Sequence, residues 1–218
     1  MSETDSFIDE VSEEVRKDTL YATMRKYGWL AVVIVLALVG GTAFREYKIA
    51  SANAVAQKTG DAISKAMALE GPKARAKALS EIITNGENKA IIALLKAAEQ
   101  EAAGEFAASL KTLEAVEASK VPSAYRDLAH FKKLLIEKEG LSEDARIEGL
   151  NELATSASPY GLYAKEQLAL IDLARGRKEA AIDRLSQILE DANLSQSLRQ
   201  RVSQLMIILG ETTEPSEG

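Results

Sequence analysis

The chain has 218 residues, 46% of them hydrophobic, 28% charged and 5% aromatic, with no cysteine, one histidine and four prolines. The missing cysteine excludes a disulfide framework, thiolate metal ligands and thiol nucleophiles, and His130 alone cannot build a multi-histidine metal site. A formal net charge of −6 argues against a nucleic-acid-binding body, which carries a basic face.

Residues 1–26 are acidic, with seven Asp/Glu against four Lys/Arg. Between Asp5 and Met24, Phe7, Ile8, Val11, Val15 and Leu20 fall near one side of a helix. That pattern suits a docking helix for a cytoplasmic partner, or an amphipathic lead-in lying on a membrane surface.

From Tyr27 to Phe44 run eighteen residues without a charge, YGWLAVVIVLALVGGTAF. As a helix they span about 27 Å, close to the roughly 30 Å hydrocarbon core of a bilayer. Arg25 and Lys26 flank one end, Arg45, Glu46 and Lys48 the other. Tyr27 and Trp29 mark the first boundary and Phe44 and Tyr47 the second, where amphipathic rings sit at headgroup depth. Gly41-Thr42-Ala43 has the small-x-small form of a signal-peptide cleavage site. Secretory n-regions are short and basic, however, so the long acidic segment ahead of the run favours an uncleaved anchor. Arg16, Lys17, Arg25 and Lys26 precede the span and Arg45, Lys48 and Lys58 follow it, which places the N-terminus in the cytoplasm by the positive-inside rule.

The segment 45–209 is expected to be an all-α solenoid of degenerate helix pairs. From Ala50 onward there are 31 alanines in 169 residues, a composition that favours helices packed through small side chains over sheets. Gly71, Gly104, Gly140 and Gly176 lie 33, 36 and 36 residues apart. Five residues beyond them come Ala76, Ser109, Ala145 and Ala181, and nine beyond come Ser80, Leu113, Gly149 and Leu185. A period near 34 with two helices per unit is the tetratricopeptide pattern. The glycine reverses the chain in a left-handed conformation, and the small residue lets the second helix approach the first. Pro72, Pro122 and Pro159 open helices, Pro159 behind a capping Ser158.

The predicted pairs are 45–70 with 73–84, 88–103 with 105–117, 122–139 with 142–154, and 159–175 with 177–191. A closing helix follows over 195–209, and 210–218 reads as a disordered tail. Counting back from each glycine, the concave side of such a solenoid includes Leu94, Glu101, Asp127, His130, Leu134, Tyr163, Glu166 and Leu170. These are the candidate protein-binding residues, and several of them could equally pack between units. His130, in DLAHFKK (Asp127 to Lys133), reads as a groove-lining or packed residue. The sequence carries no phosphate-binding loop, zinc-helix motif or nucleophile elbow. No enzyme activity, metal or cofactor is therefore expected.

The layout resembles the YfgM-like proteins, ancillary subunits of the SecYEG translocon, in their alphaproteobacterial form. The resemblance is carried by DEVSEEVRKDTLYATMRKYGW (Asp9 to Trp29), the single apolar span, and EYKIASANAVAQ (Glu46 to Gln57) leading into the repeats. It implies a single-pass inner-membrane protein with a cytoplasmic N-terminus and a periplasmic tetratricopeptide domain. The implied partners are SecYEG and a PpiD-like membrane-anchored chaperone, to which emerging secretory proteins are handed. It brings no catalytic residues. From the residues alone, a membrane-tethered scaffold for a cell-envelope or cell-division complex is the other reading.

Overall fold

The computed structural model describes the backbone of residues 3–136 and 141–211, and the side chains from Arg25 onward within them, other than those of Tyr27, Gly28, Ala31 and Val32. Phe7, Ile8, Val11, Val15, Leu20 and Gly140 thus fall outside the described side chains, as does the 212–218 part of the expected tail. Among the described residues the chain is all helix. The elements are α1 (Glu3–Met67), α2 (Pro72–Ser80), α3 (Glu87–Ala102), α4 (Phe106–Glu117), α5 (Ser123–Leu135), α6 (Glu143–Thr155), α7 (Gly161–Ala174), α8 (Lys178–Leu189) and α9 (Gln196–Ile208). The second, third and fourth expected pairs correspond to α3 with α4, α5 with α6 and α7 with α8, and α9 is the closing helix, whereas the first expected helix, 45–70, is part of the continuous α1 and α5 ends at Leu135. The chain divides into two units, Met1–Lys58 and Thr59–Gly218.

In the first unit, Trp29, Val33, Ile34, Val35, Leu36, Leu38, Val39 and Phe44 are all exposed. Among the described residues no helix is long and apolar enough to cross a membrane; Tyr27, Gly28, Ala31 and Val32, inside the apolar run, lie outside that set.

The second unit is built by packing along the sequence. Each of α2 to α9 lies against the next. The core is a chain of four small clusters, each shared by three successive helices. Ile63 and Ala66 of α1 meet Leu79 of α2 and Ile92 of α3. Leu94 and Ala97 on another side of α3 meet Leu113 and Val116 of α4 and Ala129 of α5. Leu134 of α5 meets Leu150 and Leu153 of α6 and Ala164 and Leu168 of α7. Ala169 of α7 then meets Ala181, Leu185 and Ile188 of α8 and Leu198, Val202 and Met206 of α9. Each odd-numbered helix from α3 to α7 therefore carries two apolar faces. This arrangement is consistent with an α-solenoid.

The turns explain the period. Gly104 and Gly176 have φ of 75° and 73°, a region that costs residues with a Cβ about 1–2 kcal/mol. At Gly104 the Glu105 N–H donates to the Gln100 carbonyl at 2.8 Å and the Gly104 N–H to that of Glu101 at 2.9 Å. Seventy-two residues on, Arg177 donates to Asp172 and Gly176 to Leu173 at the same two distances. This is the Schellman closure, which satisfies the last carbonyls of the first helix while reversing the chain. The α9 helix ends the same way at Gly210 (φ 84°), with Glu211 donating to Met206 and Gly210 to Ile207, both at 3.0 Å. Counted from that glycine, Gln196, Gln200 and Ser203 stand where α3 has Ala90, Leu94 and Ala97. The first two turns of that face are thus polar, while Ile207 and Ile208 at its end are exposed.

The third pair departs from the expected register. Three residues, 103–105 and 175–177, join α3 to α4 and α7 to α8, whereas seven, 136–142, join α5 to α6. The close approach falls at Gly149, which is buried, and not at Ala145, which is only half-buried. A Cβ on Gly149 would stand 2.7 and 3.2 Å from the Leu134 methyls and 3.3 Å from His130 Nε2. Ala76, Ser109 and Ala181 are buried, as their spacing predicts. The Ser158 expectation also shifts: its hydroxyl accepts from the Tyr160 N–H at 3.3 Å in the turn ahead of α7, while Tyr160 is the residue preceding the helix. Side-chain caps are instead made by Ser142 on Ala145 N–H and Ser195 on Leu198 N–H.

Leu134 is 1% exposed, so overpacking against it costs about 1–3 kcal/mol, against about 1 kcal/mol that alanine gains over glycine inside a helix; Gly149→Ala should therefore destabilise the full chain by up to about 2 kcal/mol. Urea denaturation followed by circular dichroism measures this, and a midpoint raised by the full helix-propensity gain of about 1 kcal/mol would refute the close approach.

Candidate functional site

The polar groups of the repeat unit tie one helix to the next. Glu99 of α3 is buried and accepts from Arg75 Nε of α2 at 2.7 Å. The Ser109 hydroxyl of α4, with no exposed surface, donates to the Ala97 carbonyl at 3.0 Å and lies 3.2 Å from Glu101 Oε1. Thr112 donates to Gln100 Oε1 at 2.9 Å. At the corresponding positions of the fourth pair the amide–hydroxyl contact becomes ionic. Asp172, 5% exposed, accepts from Arg177 Nη2 at 2.6 Å and from Arg184 Nε at 2.8 Å.

His130 belongs to a similar tie. Its Nδ1–H donates to Glu117 Oε1 at 2.8 Å, and Lys133 donates to Glu117 Oε2 at 2.6 Å, joining α5 to α4. Among the described residues no group of three His, Asp or Glu side chains could hold a metal ion.

The candidate groove residues divide into three sets. Leu94 and Leu134 are buried in the core clusters, so they are corrected from groove lining to packing residues. Leu134 was misplaced by the longer α5–α6 connection; Leu94 is covered because α4 and α5 both close over its side of α3. Glu101, Asp127 and His130 are half-buried, and Glu101 and His130 engage α4. Tyr163, Glu166 and Leu170, on one side of α7, come together with α9.

That third set forms the site. Glu166, 5% exposed, is held by both arms of Arg201 from α9, with Nε–Oε1 at 2.9 Å and Nη2–Oε2 at 2.6 Å. The hydrogen bonds to Glu166 raise the guanidinium pKa above its ordinary value. The Arg201 guanidinium also lies 5.8 Å from the centre of the Tyr163 ring, a cation–π distance. Tyr163 continues into an aromatic group: its ring centroid is 6.4 Å from that of Phe131 and 6.5 Å from that of Tyr160, while Phe131 and Tyr160 stack at 6.0 Å. Burial, then the nearby Asp127 charge, pushes the Tyr160 hydroxyl pKa up.

Beside the Glu166–Arg201 pair, a hollow of about 440 Å³ opens between α7 and α9. Leu170, Leu205 and Ile208 supply its apolar wall, and Gln167 and Gln204 its amides. Ile208 is 79% exposed. A second hollow of about 460 Å³, lined by Ser156, Ser158, Lys165 and Asn193 among others, lies at the loops ahead of α7 and α9. The sequence pointed to the α7 side of the first hollow but not to Arg201, Gln204 or Ile208. Gly210 is the signal that finds them, because it sets α9 in register with α7.

Comparison with protein-family models, curated proteins and solved structures finds no match to this chain.

The Asp172 cluster gives a signed pH dependence. Burial alone would raise its carboxyl, but the hydrogen bonds and charges of Arg184 and Arg177 outweigh that and hold its pKa below the ordinary aspartate value. A depressed carboxyl pKa contributes stability that is complete above the unfolded value, about 3.9, and disappears as pH falls through the folded value. Asp172→Asn should therefore melt below the wild type at pH 7, and the gap should narrow as pH falls below about 4. Thermal melts between pH 7 and pH 2 check this; a pH-independent gap would contradict the ionic tie.

Proposed function

We propose that the chain is a single-pass, membrane-anchored protein-binding module of degenerate tetratricopeptide-like pairs, ancillary to the SecYEG translocon. In this reading residues 27–44 cross the inner membrane with the N-terminus in the cytoplasm. The repeat domain stands in the periplasm and assists a PpiD-like chaperone with translocated proteins. The observation that carries it is the charge-free run from Tyr27 to Phe44: its described large apolar side chains are exposed, and the same helix, α1, leads into the repeat unit. Water does not tolerate so long an apolar surface uncovered, whereas lipid does. The resemblance in Asp9–Trp29 supplies the translocon.

The mechanism asks for no chemistry. An anchored groove is held at a high effective concentration beside each emerging chain, so weak contacts suffice. The reading assigns no catalytic role: the one histidine is tied to Glu117, and Glu99, Asp172 and Glu166 are bound to arginines.

The full-length protein should remain in the membrane pellet after alkaline extraction, and deletion of residues 27–44 should release it. Release of the intact chain would remove the anchor from the account. Purified from its own membranes in mild detergent, the tagged full-length chain should retain translocon subunits and a periplasmic chaperone, relative to a chain lacking the repeats. Retention of division or cell-wall proteins without translocon subunits would contradict the secretion reading and favour an envelope scaffold.

A further inference from the structure

We propose that the hollow between α7 and α9 is a seat for an extended, uncharged, apolar segment of unfolded polypeptide. This rests on the protein-binding reading above and names the ligand class of that site.

Three features of the walls select the ligand. The first is apolar surface. Leu170 and Ile208 are exposed, and Leu205 lies half-buried between them and the core. Covering an exposed aliphatic side chain yields roughly 25 cal/mol per Å², so an apolar ligand gains here and a polar one does not. Residues 211–218 contain no Val, Leu, Ile, Met or aromatic side chain, so that stretch cannot supply the cover.

The second feature is charge. The walls carry one acid and one base, Glu166 and Arg201, and these pair through two parallel hydrogen bonds, the bidentate geometry of a strong carboxylate–guanidinium pair, so the walls carry no net charge. A charged ligand gives up hydration here without an unpaired counter-ion to replace it, and so is disfavoured relative to an uncharged one.

The third feature separates extended chain from helix. Gln167 and Gln204 line the hollow from opposite helices, and neither amide has a hydrogen-bond partner among the described residues. Each offers an oxygen acceptor and two N–H donors. A docked helix has satisfied its own backbone groups internally and cannot answer them. An extended segment leaves its peptide N–H and C=O groups free along both edges and can pair with them. The size agrees: about 440 Å³ falls within the roughly 300–1,000 Å³ of small-ligand sites, enough for a few residues of chain.

The test is fluorescence anisotropy of short end-blocked peptides on the full-length protein in nanodiscs, with empty nanodiscs as the control. The panel comprises an uncharged Val/Ile/Thr peptide, the same peptide with Lys or Glu substituted, and an apolar peptide locked as a helix. The extended apolar peptide should bind best. Ile208→Ser, and separately the double variant Gln167→Ala/Gln204→Ala, should each weaken binding about tenfold, equivalent to about 1.4 kcal/mol. Ile208 and Gln204 are exposed and Gln167 is half-buried, and unchanged melting temperatures establish that the variants fold. Wild-type affinity in every groove variant would overturn this seat and leave the protein-binding reading standing. Better binding of the helix-locked or charged peptide would overturn the ligand class. No binding by any peptide, with partner proteins still co-purifying, would also overturn the inference alone; loss of both would overturn the two together.

Discussion

The second unit, Thr59–Gly218, depends on one steric constraint: successive helices must come close enough for a backbone to meet a small side chain. Ser109 achieves this against the Ala97 carbonyl, Ala181 in the cluster with Ala169, and Gly149 against Leu134 and His130. Where the glycine turn is tight, the Schellman closure at Gly104 and Gly176 delivers the helix to that contact with the same hydrogen-bond pattern seventy-two residues apart. Once the small residue is seated, the larger ones are placed with it. Leu113 and Val116, or Leu185 and Ile188, fall one and two turns further along and must fill the space against the following odd-numbered helix. The linear chain of clusters is the consequence, and so is a stability that adds locally from neighbour to neighbour.

The ion pairs act on this frame as register devices. Glu99, Glu166 and Asp172 are buried acids, each bound by an arginine from outside its own helix or from the turn after it. A buried pair adds little net stability over an apolar replacement, but a slipped helix would leave its carboxylate buried and alone, which is strongly unfavourable. The same pairing gives the α7–α9 hollow its character. With Glu166 and Arg201 committed to each other, the remaining surface is aliphatic and amide, and its binding preference follows from what the ion pair has removed.

Much of this was readable in the sequence, for reasons that can be named. Left-handed turns demand glycine, so Gly71, Gly104 and Gly176 marked the reversals, and the small residues five positions on marked three close approaches. The helix pairs and the closing helix followed. Reading failed where spacing alone was asked to carry tertiary information. α5 ends at Leu135 and α6 begins at Glu143, so a count from Gly140 points to Ala145 and not to Gly149, and it puts Leu134 on a groove when that side chain lies in the core. Leu94 was misjudged for another reason: in the second pair the side facing the groove by count is covered by α4 and α5. Arg201, Gln204 and Ile208 are not reached by extending the count from Gly176, because the register of α9 follows Gly210, thirty-four residues on, where the two preceding intervals are thirty-six. The partners of Glu99, Glu166 and Asp172 are fixed by packing, and no local motif announces them.

The central claim is that the α7–α9 surface meets unfolded chains as they leave the membrane. Site-specific photocrosslinking tests it most directly. A photoreactive residue is placed at position 170 or 208, and in control chains at exposed Lys77 or Glu148, in membranes carrying a secretory protein arrested during translocation. Crosslinks to the arrested chain are expected from 170 and 208, and far fewer from the controls. Equal labelling at all four positions, or labelling of translocon subunits alone with no arrested chain, would contradict the claim.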